Sequence, residues 1–223
     1  GSATTDGRGN VVITQGDRRV VVFRDGAIQV VDPHNHSLRD ADGRLRSFSF
    51  TETQGRNEVL RQSYHFGYGP DGQLRSVEQV LGDKAGKWVK GDDGLWRNER
   101  TREVYRGADG PETWAAALGG RTRLLGVMGA ANGALDGEWK RLQRMWSDAF
   151  PQGRGGFSEV TSTMTALRNV VGMGYSGEGG NVIQMSGQIK TLRAEMDALD
   201  RLRTQVQSST DPAEIRRLSS DYV

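Results

Sequence analysis

Apolar residues late in the chain recur at Val182, Met185, Ile189, Leu192, Met196, Leu199, Leu202 and Val206, in steps of three and four. That spacing is the seam of an amphipathic helix lying along another helix, and it predicts a helix over 181–208. A like stripe at Leu124, Met128, Ala131, Leu135, Trp139, Leu142 and Trp146 predicts one over 121–149. Phe157, Val160, Met164, Leu167 and Val171 predict another over 157–171. Shorter helices are expected near 112–118, after Pro111, and near 212–221, where Asp211 is the N-cap, Pro212 the first residue and Glu214 the third. Antiparallel packing brings the stripes together, so Trp139, Trp146, Leu192 and Met196 are the expected core of a bundle.

The first half of the chain alternates in period two instead, as in Ser47-Phe48-Ser49-Phe50. β-prone runs cover 10–14, 19–24, 27–31, 45–51, 63–68, 74–80, 87–89 and 95–97. Asp-Gly pairs punctuate this region at Asp6-Gly7, Asp25-Gly26, Asp42-Gly43, Asp71-Gly72, Asp93-Gly94 and Asp109-Gly110. Such pairs suit the type I′ hairpin turn, whose two central residues both take positive φ. The expected fold class is therefore α+β. An N-terminal antiparallel β-meander over 1–110 precedes a C-terminal antiparallel helical bundle, with a coiled-coil-like hairpin, over 111–223.

Charge changes the functional picture more than the structural one. Lys and Arg total 30 against 28 acidic residues, a net of +2. A nucleic-acid binder concentrates basic charge on one face, so no nucleic-acid partner is expected. There is no cysteine for disulfides or thiolate chemistry. No run approaches the ~20 apolar residues of a membrane span. The opening Gly1-Ser2 reads as a cleavage scar, and the helix near the end lacks a stop signal, so a piece of a longer protein is expected. Gly129, Gly133 and Gly137 lie four apart on one helix face, which suits close helix packing. The sharper alternative is a glycine-rich helix that perturbs membranes, as in an effector or toxin.

Candidate chemistry is sparse, and no catalytic residue stands out. Asp32-Pro33-His34-Asn35-His36 resembles the Asp-x-His-x-His of metal-dependent amidohydrolases. That family implies further ligands from a large barrel, and this chain is too short to supply them. Two readings remain for the segment. Asp32, His34, His36 and Asp40 form a calcium or zinc site, or they lie in an exposed polar turn after a strand ending at Val31. Asp32-Pro33 also resembles the pair at which some exported bacterial proteins cut themselves. Gly172-Met173-Gly174-Tyr175-Ser176-Gly177 matches a dinucleotide fingerprint in letters, but a helical stripe precedes it and a connector is expected.

Tyr68-Gly69-Pro70-Asp71-Gly72-Gln73-Leu74-Arg75-Ser76-Val77, echoed by Asp42-Gly43-Arg44-Leu45-Arg46-Ser47-Phe48, resembles one unit of the YD repeat of Rhs-type bacterial proteins. Gly69 stands where that repeat usually has Asp, and Gln73 where it often has Arg. The resemblance implies a secreted or surface-exposed bacterial β-scaffold. A non-enzymatic interaction or assembly module is the expected function, with the helical half docking a protein partner or a second copy. Leu125, Val127, Ile183 and Leu218, apolar beyond what the stripes need, are the expected contacts.

Overall fold

The computed structural model describes residues 1–149 and 178–222. Ten strands form one antiparallel sheet in strict chain order: β1 (Ser2–Thr5), β2 (Val11–Gln15), β3 (Arg18–Val22), β4 (Ile28–Val31), β5 (Asn35–Arg39), β6 (Leu45–Gln54), β7 (Asn57–Tyr68), β8 (Leu74–Gln79), β9 (Gly86–Lys90) and β10 (Trp96–Asn98). A 3-10 turn at Pro111–Thr113 then opens α1 (Trp114–Ala149), and α2 (Glu178–Ser208) and α3 (Pro212–Tyr222) follow after the undescribed stretch. The fold is α+β, with an N-terminal meander followed by helices. The helix expected over 157–171 and the fingerprint at 172–177 lie outside the described residues.

The chain divides into two compact units whose boundary is not the end of the sheet. One unit holds 1–121 together with 209–221, and the other holds 122–208 with Tyr222. In the first, Leu45, Phe48, Phe50, Tyr64, Phe66, Val77 and Trp96 on β6–β10 share a core with Trp114 and Leu118 of α1 and Ile215 of α3. The opening turns of α1 and all but the end of α3 thus belong to the sheet's own unit. The Tyr64 hydroxyl donates to the Thr210 carbonyl at 2.8 Å. Tyr105 and Trp114 both donate to the Asp109 carbonyl, at 3.1 and 3.0 Å, while the Asp109 carboxylate holds Arg216 of α3 at 2.9 Å.

Cross-strand partners share a face of a sheet. The row Ile13, Val20, Val30, Ser37, Phe48, Tyr64 therefore puts Ile13, Val20 and Val30, and with them Val11, Val22 and Ile28, on the helix-covered face, and Val12, Val21 and Val31 on the other. There Val11 and Ile28 remain 40% and 37% exposed, because the helices reach only the later strands.

In the second unit, Leu142 and Trp146 of α1 and Ile189 and Leu192 of α2 form the core, flanked by Leu135, Trp139, Met185 and Met196. The guanidinium of Arg193 lies 5.6 Å from the centre of the Trp139 ring. The stripes on the two long helices thus meet as their spacing predicts.

Candidate functional site

Five of the nine hairpin turns share one geometry. In Phe23–Ala27, Asp40–Arg44, Gly69–Gln73 and Gly91–Leu95 the fourth residue donates back to the first carbonyl, and the first amide donates to the fifth carbonyl. Asp6–Asn10 does the same. The fourth residue is a glycine with φ between the +77° of Gly72 and the +89° of Gly26, and none of the aspartates has positive φ. This is a type I turn closed by a left-handed glycine, not the type I′ turn expected from the Asp-Gly pairs. Two residues precede each glycine inside the turn, one more than a type I′ loop holds. In the first turn the left-handed residue is Gly9 rather than Gly7. Asp109-Gly110 makes no hairpin and leads into the 3-10 turn before α1.

Because the meander runs in chain order, all five turns lie at one end of the sheet. Two-residue turns at Gly16-Asp17 and Gly55-Arg56, each with only the glycine at positive φ, lie at the other. The aspartates bind their own loops. Asp25, Asp71 and Asp93 accept the amide two residues on, at 2.9, 3.1 and 3.1 Å. An arginine four residues later returns to the carboxylate in two of them, Arg75 to Asp71 at 2.9 Å and Arg97 to Asp93 at 2.7 Å. The Arg97 hydrogen bond, aided by the Leu95 amide, holds the Asp93 carboxyl down at about 2.

Asp40 carries the densest set of contacts. Its Oδ1 accepts the amides of Asp42 and Arg44, and its Oδ2 accepts Nε of Arg44 and Nε of Arg46. Burial pushes its pKa upward, but the Arg44 amide and guanidinium outweigh this and the carboxyl lies below its ordinary range. All of its lone-pair directions serve the turn, so Asp40 is a turn anchor and not an open metal ligand.

The segment from Asp32 to His36 is only partly a turn. His36 is in β5, opposite Val31 on one side and Ser49 on the other, and its Nε2 lies 3.0 Å from Glu58. His34 is exposed in the preceding bend, where its carbonyl accepts the Thr51 amide at 2.8 Å. Asp32 lies 3.8 Å from Arg18. The two histidines therefore do not project together from one strand, and the four residues are held by different partners. Among the described residues no three His, Asp or Glu side chains gather in a group able to hold a metal ion.

The expected contact residues separate. Val127 is 48% exposed, Leu125 is half-buried, and Ile183 lies within α2. Leu218 is a correction: at 5% exposure it is buried in the sheet's unit, because α3 turns its apolar edge to that core. Gly129, Gly133 and Gly137 need a correction too. An added Cβ at any of them would meet nothing within 4 Å among the described residues, so no backbone is seen pressed against that face.

Among the described residues α1 does present a bare strip. Gly126, Val127, Ala130, Gly133, Ala134 and Gly137 are all exposed and fall three or four residues apart along one side. From Gly126 to Gly137 the only charged residue is Asp136. Glycine spacing alone does not distinguish an open strip from a packed one, and only Val127 of this strip is among the contacts expected from the sequence. Among the described residues no helix is long and apolar enough to cross a membrane. Comparison with protein-family models, with curated proteins and with solved structures found no match.

Proposed function

We propose that this chain is a non-enzymatic interaction module of an exported bacterial protein, in which the meander is a scaffold and α1 offers a docking face for a second copy. The observation that supports this most is the uncharged, exposed strip from Gly126 to Gly137. Small side chains let two helix backbones approach closely, and such a strip lies well against its own copy. Its opposite side is already occupied, since Leu142 and Trp146 are buried with α2. The exported bacterial setting is supported by the turn unit Asp-Gly-x-apolar-Arg, which recurs at 42–46, 71–75 and 93–97.

The test is light scattering of the whole chain over a concentration series, beside Ala134→Glu. Ala134 is exposed, so the substitution leaves the monomer folded while placing a charge in the strip. A mass that rises with concentration in the parent and stays monomeric in the variant is the expected result. A parent that is monomeric at every concentration removes self-association.

A further inference from the structure

Beside the meander's turn end, in the unit that carries the sheet, lies a cavity of about 250 Å³ lined by Arg39, Arg44, Leu45, Tyr68, Ala115 and Gly119, among others. Arg39 and Arg44 line it, and the charges on it and on the residues that pair with Arg44 are unevenly matched. Arg44 and Arg46 both pair with Asp40, at 3.0 and 2.9 Å, and Arg44 also pairs with Asp42 at 2.9 Å. Arg39 has no carboxylate partner among the described residues. Its Nη1 donates to the Gly43 carbonyl at 3.0 Å, which leaves its other donors to the cavity. Three guanidiniums thus share two carboxylates.

Arg39 lies between the Asp40–Arg44 turn and α1. An added Cβ at Gly119 would sit 2.7 Å from Nη2 of Arg39, so the guanidinium lies close against α1 at this glycine. Tyr68 is fixed by its hydroxyl donating to the Leu45 carbonyl at 2.9 Å. The guanidiniums of Arg44 and Arg46 each lie 5.2 Å from the centre of its ring. Leu45, Ala115 and the tyrosine ring make the remaining surface apolar.

We infer that this cavity binds a small organic carboxylate, its oxyanion on Arg39 and its apolar body against Leu45, Tyr68 and Ala115. A planar guanidinium with free donors matches the two oxygens of a carboxylate, and a single surplus positive charge matches a monoanion better than a phosphate dianion. The volume admits a body about the size of one aromatic ring, either free or as the last residue of a peptide.

Titrations of the whole chain, followed by amide chemical shifts, use benzoate, a tripeptide ending in a free phenylalanine carboxylate, the same tripeptide amidated, and inorganic phosphate. Saturable shifts at Ala116 and Gly119 with benzoate or the free-acid peptide are expected, and whichever binds more tightly identifies the source. Arg39→Gln should weaken binding about tenfold or more, while Arg18→Gln, on a different pair, leaves it unchanged. No saturable shift in the parent overturns the inference even if the variant fails to fold. Equal binding to the amidated peptide, or binding of phosphate alone, overturns it as well.

Discussion

The Tyr64 hydroxyl, on β7, hydrogen-bonds the carbonyl of Thr210, a residue 146 positions later, at 2.8 Å. It joins the middle of the meander to the turn that begins α3, and its ring meets Trp114 of α1 edge-on at 6.3 Å. One side chain therefore touches both helical segments that complete the sheet's core.

Tyr64→Phe leaves the Thr210 carbonyl without that donor and should destabilise the first unit by about 1–2 kcal/mol, read from denaturant unfolding. Burial, with the Asp211 charge adding to it, raises the phenol above its ordinary value of 10.0. A raised folded-state pKa contributes stability that is complete below pH 10 and declines once pH climbs above it. Stability of the parent should thus fall beyond pH 10. The fall should be shallower in Tyr64→Phe, with Tyr68 and Tyr105, also raised by burial, supplying the rest.

Ile215→Ala should cost about 2–5 kcal/mol, as a large-to-small change at a fully buried site does. The loss should appear in the near-ultraviolet dichroism of the sheet's tryptophans. Unchanged sheet stability would mean that α3 does not belong to the meander's core.

Gly43→Ala and Gly7→Ala separate the two turn classes. Both positions have open space for a methyl group, but only Gly43 has positive φ, at +81°. Gly43→Ala should therefore destabilise by about 1–2 kcal/mol through backbone strain alone. Gly7→Ala should change stability by no more than about 0.5 kcal/mol. Type I′ geometry at Asp6-Gly7 would penalise both.

Asp93 should stay ionised down to about pH 2, as followed by the carboxyl carbon shift in an acid titration. Its depressed pKa makes its contribution complete above the ordinary 3.8 and lost as pH falls through the folded value. Arg97→Gln should move the midpoint back up toward 3.8.

Gly133→Ala tests the bare strip on α1. With nothing near the added Cβ, better helix propensity should stabilise the second unit by about 0.5–1 kcal/mol. Self-association, if it uses this face, should weaken in the same protein. A loss of monomer stability would show that the glycine already carries a contact.

The periodic parts of this fold were legible because periodicity is local. The steps of three and four at Leu142, Trp146, Ile189 and Leu192 led directly to the helix pair. β5 was not, because Asn35-His36-Ser37-Leu38-Arg39 lacks a β-prone run and is a strand only through its neighbours β4 and β6. β1 escaped for a similar reason, its Ser-Ala-Thr-Thr being exposed throughout. The start of α3 was plain from Asp211-Pro212, whereas its seat on the sheet rests on contacts far away in the chain. Turn class depended on loop length, which the Asp-Gly pair alone does not carry. The candidate metal residues were placed on a turn that is half strand, which separates His34 from His36.

The seat of Ile215 in the same core as Phe50 and Val77 has a kinetic meaning. During synthesis the strands leave the ribosome long before the segment that seals them. After Trp114 and Leu118 have docked, the part of that core which Ile215 fills stays open until residues 209–221 have been made. Release of the chain before residue 209 would leave the sheet with only the α1 part of its cover and prone to clump.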